Sequence, residues 1–88
     1  MDTVEISNII AERQVKGEML EEIYAHCHNV WVEEREKTRE EQDIKKADEY
    51  LAIRDAVATL IVGNALREKG YIRIQGKKFS CWEKKEEQ

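Results

Sequence analysis

His26-Cys27-His28 is the first place where residue types alone suggest chemistry. Two imidazoles and a thiol are zinc ligands, and a thiol beside an imidazole is a nucleophile with its base. The spacing decides against both. On a helix, residues two apart point about 200° away from each other, so His26 and His28 cannot hold one ion together. Cys27 diverges from either neighbour and falls on an apolar track, where a thiol serves as a small core residue. No Walker loop, G-x-G-x-x-G, H-E-x-x-H, zinc-spaced cysteine pair or nucleophile elbow occurs in the chain. The expectation is a protein that is not an enzyme and uses no cofactor or metal.

A second concentration of chemistry lies near the carboxy terminus. Arg67, Lys69, Arg73, Lys77, Lys78, Lys84 and Lys85 stand there against Glu68 and Glu83, with Tyr71 and Trp82 among them. Aromatics beside Arg and Lys can stack on a base and neutralise a phosphate. Tyr71, Arg73, Lys77, Lys78 and Trp82 are therefore the candidate binding residues. The plainer alternative is a solvated hairpin whose Tyr and Trp pair across an exposed sheet face.

These residues need elements to hold them. The hydrophobic period is helical up to Leu66 and alternating from Tyr71 to Trp82, so a long helix runs into a β-hairpin. A two-residue turn at Gly76-Lys77 would pair Ile74 with Phe79, Arg73 with Ser80, Ile72 with Cys81 and Tyr71 with Trp82. Ile72, Ile74, Phe79 and Cys81 would then face the helices, and Tyr71, Arg73, Lys78 and Trp82 would face away. Upstream, Asp2 and Glu5 have the form of a capping box. Ile6, Ile10, Leu20, Tyr24, Cys27 and Trp31 follow one track, widened by Ile9, Ile23 and Val30. Arg13 and Gly17 interrupt that track, which allows one long helix or two and favours a break or kink at Gly17. Thr38 with Glu41 predicts another helix start after a turn near Lys37. The result is a mainly α (α+β) single domain over 1–88, with helices near 3–14, 18–36 and 39–69. A hairpin follows near 71–83, then a flexible tail over 84–88.

The last helix is apolar nearly all round. Tyr50, Ile53, Val57, Leu60 and Ile61 make one face, while Leu51, Val62 and Leu66 lie elsewhere and alanines fill much of the rest. Such a helix must be covered nearly all round. Self-association follows as an expectation, with Val57, Leu60, Ile61, Val62 and Leu66 as candidate interface residues.

Charge is split along the chain. Residues 1–50 carry seven basic and fourteen acidic side chains, and residues 51–88 carry eight and five. An acidic amino-terminal half argues against nucleic acid there, whereas the other half can meet an anion or an acidic protein. No apolar run reaches the roughly 18 to 20 residues that span a bilayer. Met1–Glu5 lacks the basic and apolar regions of a signal peptide, and two cysteines in unrelated contexts form no disulfide framework. The expected location is a cytoplasm, bacterial or that of a virus-infected cell.

Two resemblances follow. Ala65 to Trp82, as helix, short turn and basic hairpin, resembles the last helix and wing of winged-helix DNA-binding domains, which implies a nucleic-acid regulator. The chain departs from that pattern at Ala56–Val62, apolar where a polar base-reading helix would be adjacent. In size, acidity and general make-up the chain is similar to small accessory proteins of phages. That implies stoichiometric inhibition of a host protein, or sequestering of a nucleotide signal. A protein-binding module is the first expectation, and a nucleotide or nucleic-acid binder using the hairpin is the alternative.

Overall fold

A computed structural model describes residues 1–75 and 80–84. It contains three helices followed by a two-stranded antiparallel hairpin: α1 (Thr3–Val15), α2 (Leu20–Glu36), α3 (Ile44–Glu68), β1 (Tyr71–Gln75) and β2 (Ser80–Lys84). The first cap is the one the sequence signals. Asp2 Oδ1 accepts the Glu5 N–H at 2.8 Å, satisfying one of the donors that a helix start leaves open. The break at Gly17 is also present. Its φ of +96° lies in the left-handed region, which costs glycine little and side-chain-bearing residues more.

The start of α3 differs from expectation. Thr38 and Glu41 make only a turn, in which the Thr38 carbonyl accepts the Glu41 and Gln42 N–H groups at 3.0 Å. The cap is Asp43, whose Oδ1 accepts the Lys46 N–H at 3.0 Å. The connection is fastened by side chains. Gln42 Nε2 donates to the Arg35 and Lys37 carbonyls at 3.1 and 2.9 Å, serving the open end of α2. Glu34 is buried and accepts from the Asp43 N–H at 2.8 Å and from Lys37 Nζ at 3.1 Å. Lys46 Nζ stands 4.0 Å away. These local bonds tie the end of α2 to the start of α3, so the helix begins five residues later than the sequence alone predicts.

The Asp43 N–H, then Lys37, hold the Glu34 carboxyl below its ordinary value. The folded state thus binds its proton less readily than the unfolded chain does. The stabilisation is complete above the ordinary carboxylate range and is lost as pH falls through the lowered folded-state value. Wild type should therefore be more stable than Glu34→Gln at neutral pH, with the difference shrinking as pH falls. Its acid-denaturation midpoint should lie at the lower pH of the two. Equal acid-denaturation midpoints for the two, followed by circular dichroism, would show that the Glu34 contact contributes nothing.

Ile10, Ile23, Cys27, Ile53 and Val57 form the core, and Ile6, Ile9, Leu20, Tyr24, Tyr50, Ala56 and Ile61 pack against it. This is the face that the helical track predicts. The molecule is elongated, 59 × 33 × 22 Å, with a radius of gyration of 16.1 Å. A compact chain of this length would have about 12 Å.

The hairpin is present, but its register and docked face are not the predicted ones. Arg73 pairs with Trp82, Ile74 with Cys81, Ile72 with Glu83, and Tyr71 with Lys84. The pairing is two residues from expectation. An even slip keeps every side chain on its own face, so the alternation of side chains could not separate the two registers. The faces are also reversed relative to the helix. Ile72 and Ile74 are 45% and 38% exposed and Cys81 is exposed, while Trp82 lies on α3. The reason is a slot at Gly63. A Cβ there would sit 3.5 Å from Trp82 Cζ2, and with no side chain at Gly63 the large indole lies directly against the helix. The predicted contributions of Phe79, Lys77 and Lys78 lie outside the described residues.

Candidate functional site: a groove between α3 and the hairpin

Docking Trp82 on α3 leaves a groove of about 360 Å³. Ala58, Thr59, Leu60, Val62, Gly63 and Arg67 form its helical wall, and Arg73 and Trp82 of the hairpin close its other side. The Arg67 guanidinium lies over the Trp82 ring, 5.4 Å from its centroid, and Arg67 Nη1 donates to Asn64 Oδ1 at 3.2 Å. One turn of helix separates Gly63 from Arg67, so slot and guanidinium share one face. Of the predicted binding residues, Arg73 and Trp82 meet here. Tyr71 is half-buried on the same face of the sheet.

Trp82 does not stand out as a free stacking platform, because part of its surface is spent on Gly63 and Arg67. Arg67 and Gly63 are the residues that sequence reasoning passed over. Their signal was a glycine interrupting an apolar helix one turn before an arginine, and it gains meaning only once the indole is seated there.

The expected interface residues divide. Val57 is fully buried within the protomer and Ile61 packs on the same core. Leu60 and Val62 remain 41% and 56% exposed, and both line the groove. A second groove of about 380 Å³ runs between α1 and α3, lined by Ser7, Ile10, Ala11, Gln14, Ala56, Thr59 and Leu60. Thr59 and Leu60 belong to both, so the two grooves adjoin across α3.

The central cluster behaves as its helical spacing requires. Cys27 is buried, and that burial pushes its thiol up despite Arg13 Nη1 at 3.7 Å, which leaves it protonated rather than nucleophilic. Arg13, the odd residue on the α1 stripe, is the clasp of the α1–α2 turn. Its Nε and Nη2 donate to the two Glu18 carboxylate oxygens at 2.8 and 2.7 Å. Its Nη2 also reaches His26 Nδ1 at 3.0 Å, so that nitrogen carries the lone pair. This pairing raises Arg13 and lowers Glu18 from their ordinary values. His28 turns the other way. It stacks on Tyr24 at 6.0 Å and accepts from Arg54 Nη1 at 3.0 Å, while Arg54 lies over Trp31. The two imidazoles thus serve separate contacts. Among the described residues no three of His, Cys, Asp and Glu gather where they could hold a metal ion. Among the same residues no helix is long and apolar enough to cross a membrane.

No known protein family, curated protein or solved structure matches this chain.

Proposed function

We propose that this chain is a non-enzymatic binding protein that acts by stoichiometric contact with protein, in a cytoplasm, through the groove between α3 and the hairpin. The observation that carries the reading is the make-up of that groove. Leu60 and Val62 supply exposed apolar surface, and Trp82, Arg67 and Arg73 stand at its edge. Tryptophan and arginine around an apolar centre are what dominate binding energy at protein interfaces. The groove is open rather than enclosed, which suits the ridge of a helix or strand better than a small molecule needing burial on most sides. Inhibition of a host protein, in the manner of a phage accessory factor, is one form such an activity takes. Sequestering is another.

Native mass spectrometry of protein purified from its natural source tests the reading. The expected spectrum shows the chain joined to protein in whole-number stoichiometry. Gly63→Leu, which puts carbon where Trp82 now lies, should weaken that association more than tenfold, about 1.4 kcal/mol. A bound nucleotide, or association untouched by Gly63→Leu, overturns it.

The second reading is a nucleotide or nucleic-acid binder, favoured by Arg67, Lys69, Arg73 and Lys84 on one end of the molecule. Its signature is affinity for a labelled single-stranded oligonucleotide that falls steeply as salt rises.

A further inference from the structure

We propose that the groove and the outward face of α3 bind a second copy of this chain, with the two α3 helices crossing antiparallel about a twofold axis at Val62. The inference rests on reading this surface as protein-binding, and it names the occupant.

Surface area is the first argument. The chain exposes 7210 Å² at 10.4 kDa. A folded monomer of that mass exposes about 5,400 Å², so roughly 1,800 Å² is in excess. A stable pair removes about 800 Å² from each partner, which this protomer can give up and still expose what a compact monomer does. The elongated shape and thin core describe the same deficit from inside.

Charge order along α3 is the second argument. Asp48, Asp55, Val62 and Lys69 follow one another at seven-residue spacing, and all four are exposed. That spacing keeps them on one stripe, drifting by only about 20° per step. The stripe is acidic before Val62 and basic after it. In a parallel pair like charges would meet. In an antiparallel pair centred on Val62, residues equally far from the centre face each other, so Asp55 of one copy lies opposite Lys69 of the other, twice over. A twofold contact requires this reciprocity, and this stripe is complementary to itself only in that direction. Asp55 already holds Arg54 Nη2 at 3.0 Å, and its side chain is still 62% exposed.

Side-chain size is the third. Ala58 and Thr59 flank Val62 on the preceding turn, and Leu66 follows on the next. Small residues at the crossing let the backbones approach, while Leu66 fills the flank.

Sedimentation equilibrium with the full chain at about 100 µM tests the proposal. The expected wild-type mass is twice that of the chain. Val62→Glu should raise the dissociation constant at least tenfold while helical circular dichroism is retained. Since Val62 is exposed, folding is not expected to suffer. If helicity is nonetheless lost, Val62→Ser serves the same purpose. Val62→Cys in a Cys81→Ser background should oxidise in air to a disulfide-linked pair, because a residue on the axis meets its own equivalent. Asp55→Lys should weaken the pair, and Asp55→Lys with Lys69→Asp should restore it. A wild type that stays monomeric overturns the inference, as does a pair insensitive to Val62→Glu or one that Val62→Cys fails to link. A monomer that still carries another protein at the groove also overturns it, while leaving the protein-binding reading standing.

Discussion

Ile23→Ala should lower the unfolding free energy by about 3 to 4 kcal/mol. Ile23 is fully buried between the helices, in a core whose enclosed side chains are few. Removing three carbons forfeits their transfer energy and leaves a cavity that surrounding helices fill only in part. A chain of this length has roughly 4 to 13 kcal/mol of stability in all, so the loss is a large fraction of the total. Urea titration at one fixed protein concentration should show the midpoint falling with the slope unchanged. A cost below about 1 kcal/mol would mean that α1 and α2 collapse onto the gap, and that the packing between helices is not what holds them.

The next-largest effect is expected at Gly17. Its φ is +96°, and a Cβ there would meet nothing within 4 Å. Any penalty is therefore one of backbone conformation rather than of collision. Valine, whose branched side chain crowds its own carbonyl in the left-handed region, should cost about 2 kcal/mol. Asparagine tolerates that region and should cost less than half as much. The order Gly17 > Asn > Val in thermal midpoint is the measurable result. Were valine as stable as asparagine, the α1–α2 turn would have another conformation available. The Arg13–Glu18 clasp would then be what sets the angle between the helices.

Local rules carried much of the fold because they act within one or two turns of chain. The Asp2 cap, the break at Gly17 and the core track through Ile6, Ile10, Tyr24 and Cys27 all express contacts between near neighbours. So did the divergence of His26 and His28, since helical geometry separates them whatever surrounds the helix. The switch of period after Leu66 placed the hairpin correctly. What stayed hidden shares another character. The start of α3 at Asp43 depends on Glu34 and Gln42 reaching across a turn, and no pattern of apolar residues records that.

The hairpin makes the division plainest. Alternation along Tyr71 to Trp82 determined which side chains share a face. It could not determine which face would meet α3, because both faces carry apolar area, and a slip of two residues leaves the sorting unchanged. That choice is seen in the seating of the indole of Trp82 against Gly63, with Arg67 one turn later lying over its ring. The groove exists only because of that docking. Sequence by itself determined the helices, the hairpin, the core stripe and the charge order along α3. Tertiary structure decided where the hairpin lies and which of Val57, Leu60, Ile61 and Val62 remain at the surface. The physical reason is that periodicity specifies direction relative to an element's own axis, whereas burial depends on which other element comes to cover it.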